Sequence, residues 1–201
     1  MYPITYEADY KREPSRVKSF FRFILVIPWL IVAYVYIIAA IFTLLAAWVA
    51  IIITGRYPEG LYNFNSGVLR YFTRVNSFEF LLTDEYPPFG LRPDPTYPAD
   101  VEIPYPERLS RWQAPLKPWL LAIPHYAALA ALVSGWGNGS GFATPGLLGV
   151  LLCVALVLLL VRGRYPRDLF SLVVGINRWA LRVAAYAGLM RDEYPPFRLD
   201  R

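Results

Sequence analysis

Residues 23–55 read FILVIPWLIVAYVYIIAAIFTLLAAWVAIIITG and contain no charged side chain. A membrane crossing needs about 20 apolar residues, so this block is long enough to span a bilayer. Residues 118–161 form a second uncharged block. With 17% charged residues and a mean hydropathy of +0.36, the 201-residue chain has too little charge to coat a soluble domain. We therefore expect an integral membrane protein.

Each uncharged block is expected to form a transmembrane helical hairpin. In the second block, residues 134–145 hold four glycines and a proline, which predicts a loop between helices at roughly 118–133 and 146–161. The first block has no such break, and its hairpin is inferred from basic residues at both of its ends. A single long tilted helix, kinked at Pro28, is the alternative.

The basic residues that flank both blocks also predict the orientation of the chain. They place all four block ends, and both termini, on the cytoplasmic side of the cell (inner) membrane. Residues 1–18 are then a cytoplasmic N-terminal tail, because acidic residues interrupt the pattern of a secretory signal.

The strongest motif in the chain is an internal repeat. Residues 55–91 align without gaps to residues 163–199, with 17 identities in 37 positions. The identities include two Gly-Arg-Tyr-Pro turns, at 55–58 and 163–166, and two Tyr-Pro-Pro-Phe segments, at 86–89 and 194–197. We expect membrane repeat 1 at 19–91, a proline-rich linker at 92–114, and membrane repeat 2 at 115–201, both in the same orientation.

These motifs, together with Ile123-Pro124-His125, resemble a bacterial membrane family known as domain of unknown function 4389. The resemblance covers nearly the whole chain as two tandem copies. It implies the membrane fold but no activity and no catalytic residue. Trp29 stands in repeat 1 where His125 stands in repeat 2, which puts a required role for that histidine in doubt.

A helix with one apolar and one polar face is predicted after each hairpin, at 61–82 and 169–190. The first of these helices lies in the membrane interface or docks over the helix bundle as a lid. The second is more apolar and could cross the membrane. The fold class predicted is therefore an all-α integral membrane protein with two tandem repeats, each a transmembrane hairpin plus an amphipathic interfacial helix.

Arginines recur at equivalent positions of the two predicted amphipathic helices. One hypothesis is that they bind lipid phosphate, together with the arginines of the two Gly-Arg-Tyr-Pro turns. The alternatives are plain interfacial anchoring or ion pairs with Asp84-Glu85 and Asp192-Glu193. The candidate lipid-headgroup or interface residues are Arg70, Arg74, Arg178, Arg182, Arg56 and Arg164.

The sequence offers little for catalysis. His125 and Cys153 are the only residues of their types, so we expect no metal site, no cofactor and no enzyme. The dispersed basic residues do not favour nucleic-acid binding. We expect a non-enzymatic accessory or scaffold subunit of a larger membrane assembly, with anionic lipids and a protein partner or a second copy as its contacts. A lipid-binding or small-solute-handling membrane protein is the alternative.

Overall fold

A computed structural model describes residues 3–10, 15–133 and 146–200, and within them the chain is mostly helical. The first half contains one strand and three helices, and a second strand follows them. A five-residue π-helical turn and three further helices complete the described chain. The elements are β1 (Thr5–Ala8), α1 (Arg16–Leu25), α2 (Ile27–Thr54), α3 (Glu59–Glu79), β2 (Ala99–Glu102), the π-helical turn (Lys117–Leu121), α4 (Ile123–Val133), α5 (Leu147–Arg162) and α6 (Arg167–Ala187).

The first uncharged block forms one unbroken helix, so the hairpin expected there is wrong. Helix α2 has 28 residues, which corresponds to a length of about 42 Å. Pro28 lies in its first turn, where a missing N–H costs little, and Gly55 ends it in the left-handed region at φ 71°. No turn-forming residue interrupts the sequence between them. Within the described part of the chain, α2 is the one helix long and apolar enough to cross a membrane.

The second uncharged block is divided into α4 and α5, which contact each other. The glycine-rich loop predicted at 134–145 lies outside the described residues. The repeat alignment pairs α4 with the first half of α2 and α5 with the second half. Repeat 2 thus has a 12-residue insertion in the middle of the helix that repeat 1 builds continuously.

Helix α3 runs antiparallel to α2 along almost its whole length. Near one end the Tyr71 hydroxyl donates to the Trp29 carbonyl at 2.9 Å, and further along Thr43 is hydrogen-bonded to Asn65 at 2.8 Å. Helix α3 also contacts α6, its counterpart in the second repeat. Its apolar and polar faces are both buried, including both arginines. Of the two placements predicted for this helix, docking against the rest of the fold matches the structure.

A two-stranded antiparallel ribbon, absent from the all-α prediction, covers the polar faces of α3 and α6. Strand β1 belongs to the predicted tail and packs on α6, whereas β2 belongs to the predicted linker and packs on α3. Tyr6 pairs with Val101 at the centre of the ribbon. The alternation of buried and exposed residues in both strands is that of a ribbon with one covered face.

The two strands also extend the internal repeat upstream. Residues 3–16 align to 98–111 at an offset of 95, with Pro3, Glu7, Tyr10, Ser15 and Arg16 identical to their counterparts. The offset becomes 96 beyond the π-helical turn, where Pro28 meets Pro124. A π-bulge accommodates one additional residue in a helix, so this turn explains the change of offset.

Candidate functional site

The paired arginines of α3 are held inside the protein. The Arg70 Nε donates to the Val101 carbonyl at 3.4 Å, and its guanidinium also donates to the Leu91 carbonyl. Arg74 is fully buried and donates to the Arg92 carbonyl at 3.0 Å. The carboxylate of Asp100 lies 3.6 Å from Arg70 and 3.2 Å from Arg74. The two side chains therefore connect α3 to β2 and to the segment that follows Tyr-Pro-Pro-Phe.

The second repeat reproduces this arrangement around Arg178 and Arg182. The Arg178 Nε donates to the Tyr6 carbonyl at 3.1 Å and its terminal nitrogen donates to the Leu199 carbonyl. Arg182 is buried and donates to the Asp200 carbonyl at 3.0 Å. Leu91 and Leu199 are equivalent positions, so the same carbonyl is bound in both copies.

The six arginines predicted at the lipid interface do not lie together in the structure. The carboxylate beside Arg70 and Arg74 is Asp100, which the sequence did not suggest. Burial lowers the pKa of the Arg70 guanidinium below its usual value, and Asp100 opposes that shift. Arg56 and Arg164 lie elsewhere, exposed in the two Gly-Arg-Tyr-Pro turns. The six predicted arginines thus divide into four that bind the chain's own carbonyls and two that face outward.

Two further buried cations, Arg22 and Lys117, are not among the site residues predicted from the sequence. Arg22 of α1 lies 2.8 Å from the Asp84 carboxylate, with both side chains buried. The Arg22 guanidinium also donates to the Phe78 carbonyl and lies 4.5 Å from the centre of that ring. Burial lowers the pKa of Arg22, and the Asp84 charge opposes the shift.

Lys117 takes the place of Arg22 in the second repeat. Its ammonium is paired with Asp192 and lies 5.5 Å from the Tyr186 ring centre. Asp192 and Tyr186 are equivalent to Asp84 and Phe78, respectively, by the repeat alignment. Burial lowers the pKa of Lys117, and the Asp192 carboxylate opposes that shift. The sequence signal for both pairs is the repeated Asp-Glu-Tyr-Pro-Pro-Phe motif, because its first aspartate is the anion of the ion pair in each repeat.

Both Tyr-Pro-Pro-Phe segments pack onto the first turn of the apolar helix in their own repeat. Trp29 stacks on Phe89 with ring centres 5.0 Å apart, and its Nε1 donates to the Pro87 carbonyl at 2.6 Å. His125 stacks on Phe197 at 4.1 Å and is completely buried. Among the described residues, neither imidazole nitrogen has a hydrogen-bond partner. Within the described residues, His125 therefore contacts its surroundings through ring packing and not through hydrogen bonds.

A cavity of about 280 Å³ lies where the two repeats meet. Equivalent segments of α3 and α6 form its walls, and the paired arginines are not among the residues that line it. The lining residues are Leu69, Phe72, Thr73, Asn76, Asn177, Ala180, Leu181 and Ala184. Within the described residues no group of three or more histidine, cysteine or acidic side chains could hold a metal ion. The chemistry of the cavity is that of a mostly apolar packing interface.

Comparison with known proteins gives one match. The family model described as a domain of unknown function (DUF4389) matches residues 16–90 and again residues 144–198. No curated protein and no solved structure matches the chain. The two matched segments contain α1 to α3 with the first Tyr-Pro-Pro-Phe segment, and α5 to α6 with the second.

Proposed function

The chain belongs to the DUF4389 family, in two tandem copies, and we propose that it is a non-enzymatic accessory or scaffold subunit of a larger membrane assembly. The outward surface of α2 carries this proposal. Of its 28 residues only Ala33, Ala47 and Ile51 are buried, although α3 packs along one side. A helix that keeps so much apolar surface exposed has lipid or another protein helix as its natural neighbour.

Exposed apolar side chains outside α2 lie in α1 and around the π-helical turn. Helix α1 turns Ser19 and Arg22 inward and leaves Phe20 and Phe21 exposed, so its apolar side faces away from the protein. Trp112 and Trp119 are also exposed, before and within the π-helical turn. Exposed aromatic rings at the ends of apolar helices are typical of side chains at headgroup depth. This distribution favours an apolar layer of α1, α2, α4 and α5 in contact with the membrane.

Contacts on the polar side of the fold favour placing the first and last described segments on the same side of the membrane. Arg178 binds the carbonyl of Tyr6, and Arg182 binds that of Asp200, so the first and last described segments meet on α6. We propose that this side faces the cytoplasm and that the protein resides in the cell membrane. Anionic lipids would contact its boundary arginines.

A lipid- or solute-handling function is less well supported. That function calls for a groove between the repeats lined by Arg70, Arg74, Arg178 and Arg182. The inter-repeat cavity has other walls, and the four arginines instead bind backbone carbonyls. A continuous apolar exterior with an internally bound set of cations is the arrangement expected of a subunit that packs against a partner.

The proposal is tested by gentle purification of the tagged chain from its native membrane, followed by native mass spectrometry. We expect another membrane protein to co-purify at a fixed stoichiometry. A matched variant with Phe42→Ser and Leu45→Ser on the exposed side of α2 should lose that partner. An exposed ribbon variant, Glu7→Gln, should keep it. Recovery of the chain alone, carrying tightly bound lipid, would contradict the scaffold function and favour lipid handling.

A further inference from the structure

An arginine-lined cleft of about 670 Å³ opens where α5 ends and α6 begins. Its three arginine side chains are exposed and follow one another at positions 162, 164 and 167. Within the described part of the chain, none of the three forms an ion pair, and no carboxylate lines the cleft. Among the described residues, those that line the cleft are Tyr10, Arg162, Arg164, Tyr165, Pro166 and Arg167. Three positive charges therefore face one opening.

The backbone that carries these arginines is firmly anchored. Tyr165, between the second and third arginine, is buried, and its carbonyl accepts a hydrogen bond from the Tyr10 hydroxyl. Phe170 packs edge-on against both tyrosine rings, at 5.1 and 5.7 Å. The Arg167 guanidinium lies 5.3 Å from the Tyr10 ring centre. The cleft is thus built on a fixed turn, which reduces the entropy lost when a ligand is bound.

The cleft lies at the end of an apolar stripe. Exposed residues recur every three or four positions along the outward side of α5 and stop immediately before Arg162. The stripe consists of Leu147, Val150, Val154, Val157 and Val161. Acyl chains lying along this stripe would place a phospholipid headgroup at the arginines, because the stripe and the cleft are adjacent.

We infer that this cleft binds the phosphate of an anionic phospholipid headgroup. Guanidinium groups match phosphate oxygens in geometry and keep their charge at all physiological pH values. The inference goes beyond the scaffold function and requires only that α5 contacts lipid. It is specific to repeat 2, since the equivalent residues of repeat 1 are Thr54, Arg56 and Glu59, whose charges cancel.

Repeat 1 supplies the test variant. Replacing Arg162→Thr and Arg167→Glu installs the residues of repeat 1 and removes three units of positive charge. The matched control, Arg92→Glu with Arg198→Thr, makes the same charge change at two exposed positions outside the cleft. Purified full-length proteins in neutral detergent are titrated with short-chain phosphatidylglycerol, and with short-chain phosphatidylcholine for comparison, while binding is followed by native mass spectrometry.

We expect the cleft variant to bind phosphatidylglycerol on the order of 100-fold more weakly, since each basic charge near anionic lipid is worth about a fivefold change. The control should lose less than about fivefold. A triple lysine variant (Arg162→Lys, Arg164→Lys, Arg167→Lys) should retain most of the affinity, which separates binding from folding. Equal losses in the cleft and control variants would overturn the inference. Displacement of the lipid by inorganic phosphate at equal concentration would also overturn it, because the ligand would then be a free anion.

Discussion

Tyr6 and Val101 are partners across the ribbon and also equivalent positions of the two repeats. A pair of equivalent residues can face each other only at a local twofold axis, so the ribbon marks the axis that relates the repeats. The Tyr6 carbonyl accepts from Arg178 of repeat 2, and the Val101 carbonyl accepts from Arg70 of repeat 1. Strand β1 precedes repeat 1 but packs on α6 of repeat 2, and β2 precedes repeat 2 but packs on α3 of repeat 1. This exchange of strands connects the two repeats.

The ribbon register predicts a specific disulfide. Thr5 and Glu102 are direct cross-strand partners and both are exposed. In a background with Cys153→Ala, we expect Thr5→Cys with Glu102→Cys to cross-link rapidly under mild oxidation, since opposed residues lie within about 5.5 Å at Cα. Asp9→Cys with Glu102→Cys is the control, because Asp9 follows the end of β1, four residues and about 13 Å beyond Thr5. Equal cross-linking of the two pairs, measured by gel mobility, would exclude this register.

Two helical glycines are predicted to resist substitution. A Cβ on Gly67 would lie 2.8 Å from both the Cβ and the carbonyl oxygen of Leu91, and Gly175 meets Leu199 in the same way. Gly67→Ala should therefore lower the free energy of unfolding by about 1–3 kcal/mol, despite the better helix propensity of alanine. Gly60→Ala is the matched control in the same helix, with open space around it, and should stabilise by about 0.5–1 kcal/mol. Thermal unfolding in detergent checks both signs, and stabilisation by Gly67→Ala would contradict the close packing.

Removing the aspartate that pairs with Arg22 should lower the free energy of unfolding more than removing the one that pairs with Lys117. Asp84 is as deeply buried as Arg22, whereas Asp192 is 34% exposed beside the buried Lys117. Asp84→Asn should cost about 3–5 kcal/mol, because it leaves a buried guanidinium without its counter-charge. Asp192→Asn should cost about 1–2 kcal/mol, because water reaches that site. Chemical unfolding of the two variants measures the difference, and equal losses would refute the assigned burial.

Much of this fold is visible in the sequence, and the errors have physical causes. The two-faced pattern of 61–82 predicts α3 because it is a local periodic signal, and the repeat predicts the equivalent helix α6 because 17 of 37 aligned positions are identical. Arg22 is one of the basic residues that flank the first apolar block, and local sequence does not indicate its ion pair because Asp84 is 62 residues away. The ribbon was missed because each strand has four residues and pairs with a segment about 95 positions away. Prolines around β2 also favoured a linker there.

Burial of the tyrosines predicts a sharp loss of stability at high pH. Burial raises the pKa of Tyr6, Tyr57, Tyr62 and Tyr71 to about 12. An unfolded tyrosine loses its proton near pH 10, so between about pH 10 and 12 the unfolded chain binds fewer protons than the folded one. Stability therefore falls as pH rises, by about 1.4 kcal/mol per pH unit for each of these side chains.

Absorbance at 295 nm and near-ultraviolet circular dichroism, recorded during one alkaline titration, test this prediction. We expect exposed tyrosines to ionise first and the buried set to ionise together with loss of tertiary signal. Tyr71→Phe removes one of the late ionising groups and should make the alkaline loss of stability less steep. A single ionisation wave near pH 10 with the fold intact would show that these phenols are accessible.

The last prediction concerns two equivalent positions at which the repeats have side chains of different size: Trp29 and Tyr71 in repeat 1, and His125 and Trp179 in repeat 2. In repeat 1 the Tyr71 hydroxyl donates to the backbone carbonyl of Trp29, whereas in repeat 2 the rings at the equivalent positions, His125 and Trp179, lie 5.7 Å apart. His125→Trp alone should overpack this completely buried site and cost about 1–3 kcal/mol. Adding Trp179→Tyr installs the repeat 1 pair and should recover at least about 1 kcal/mol. His125→Trp with Trp112→Tyr, at a tryptophan that is 88% exposed, is the control and should give additive effects. Unfolding of the single and double variants yields the coupling, and a coupling below about 0.5 kcal/mol for His125 and Trp179 would mean that the two repeats do not share one interchangeable core.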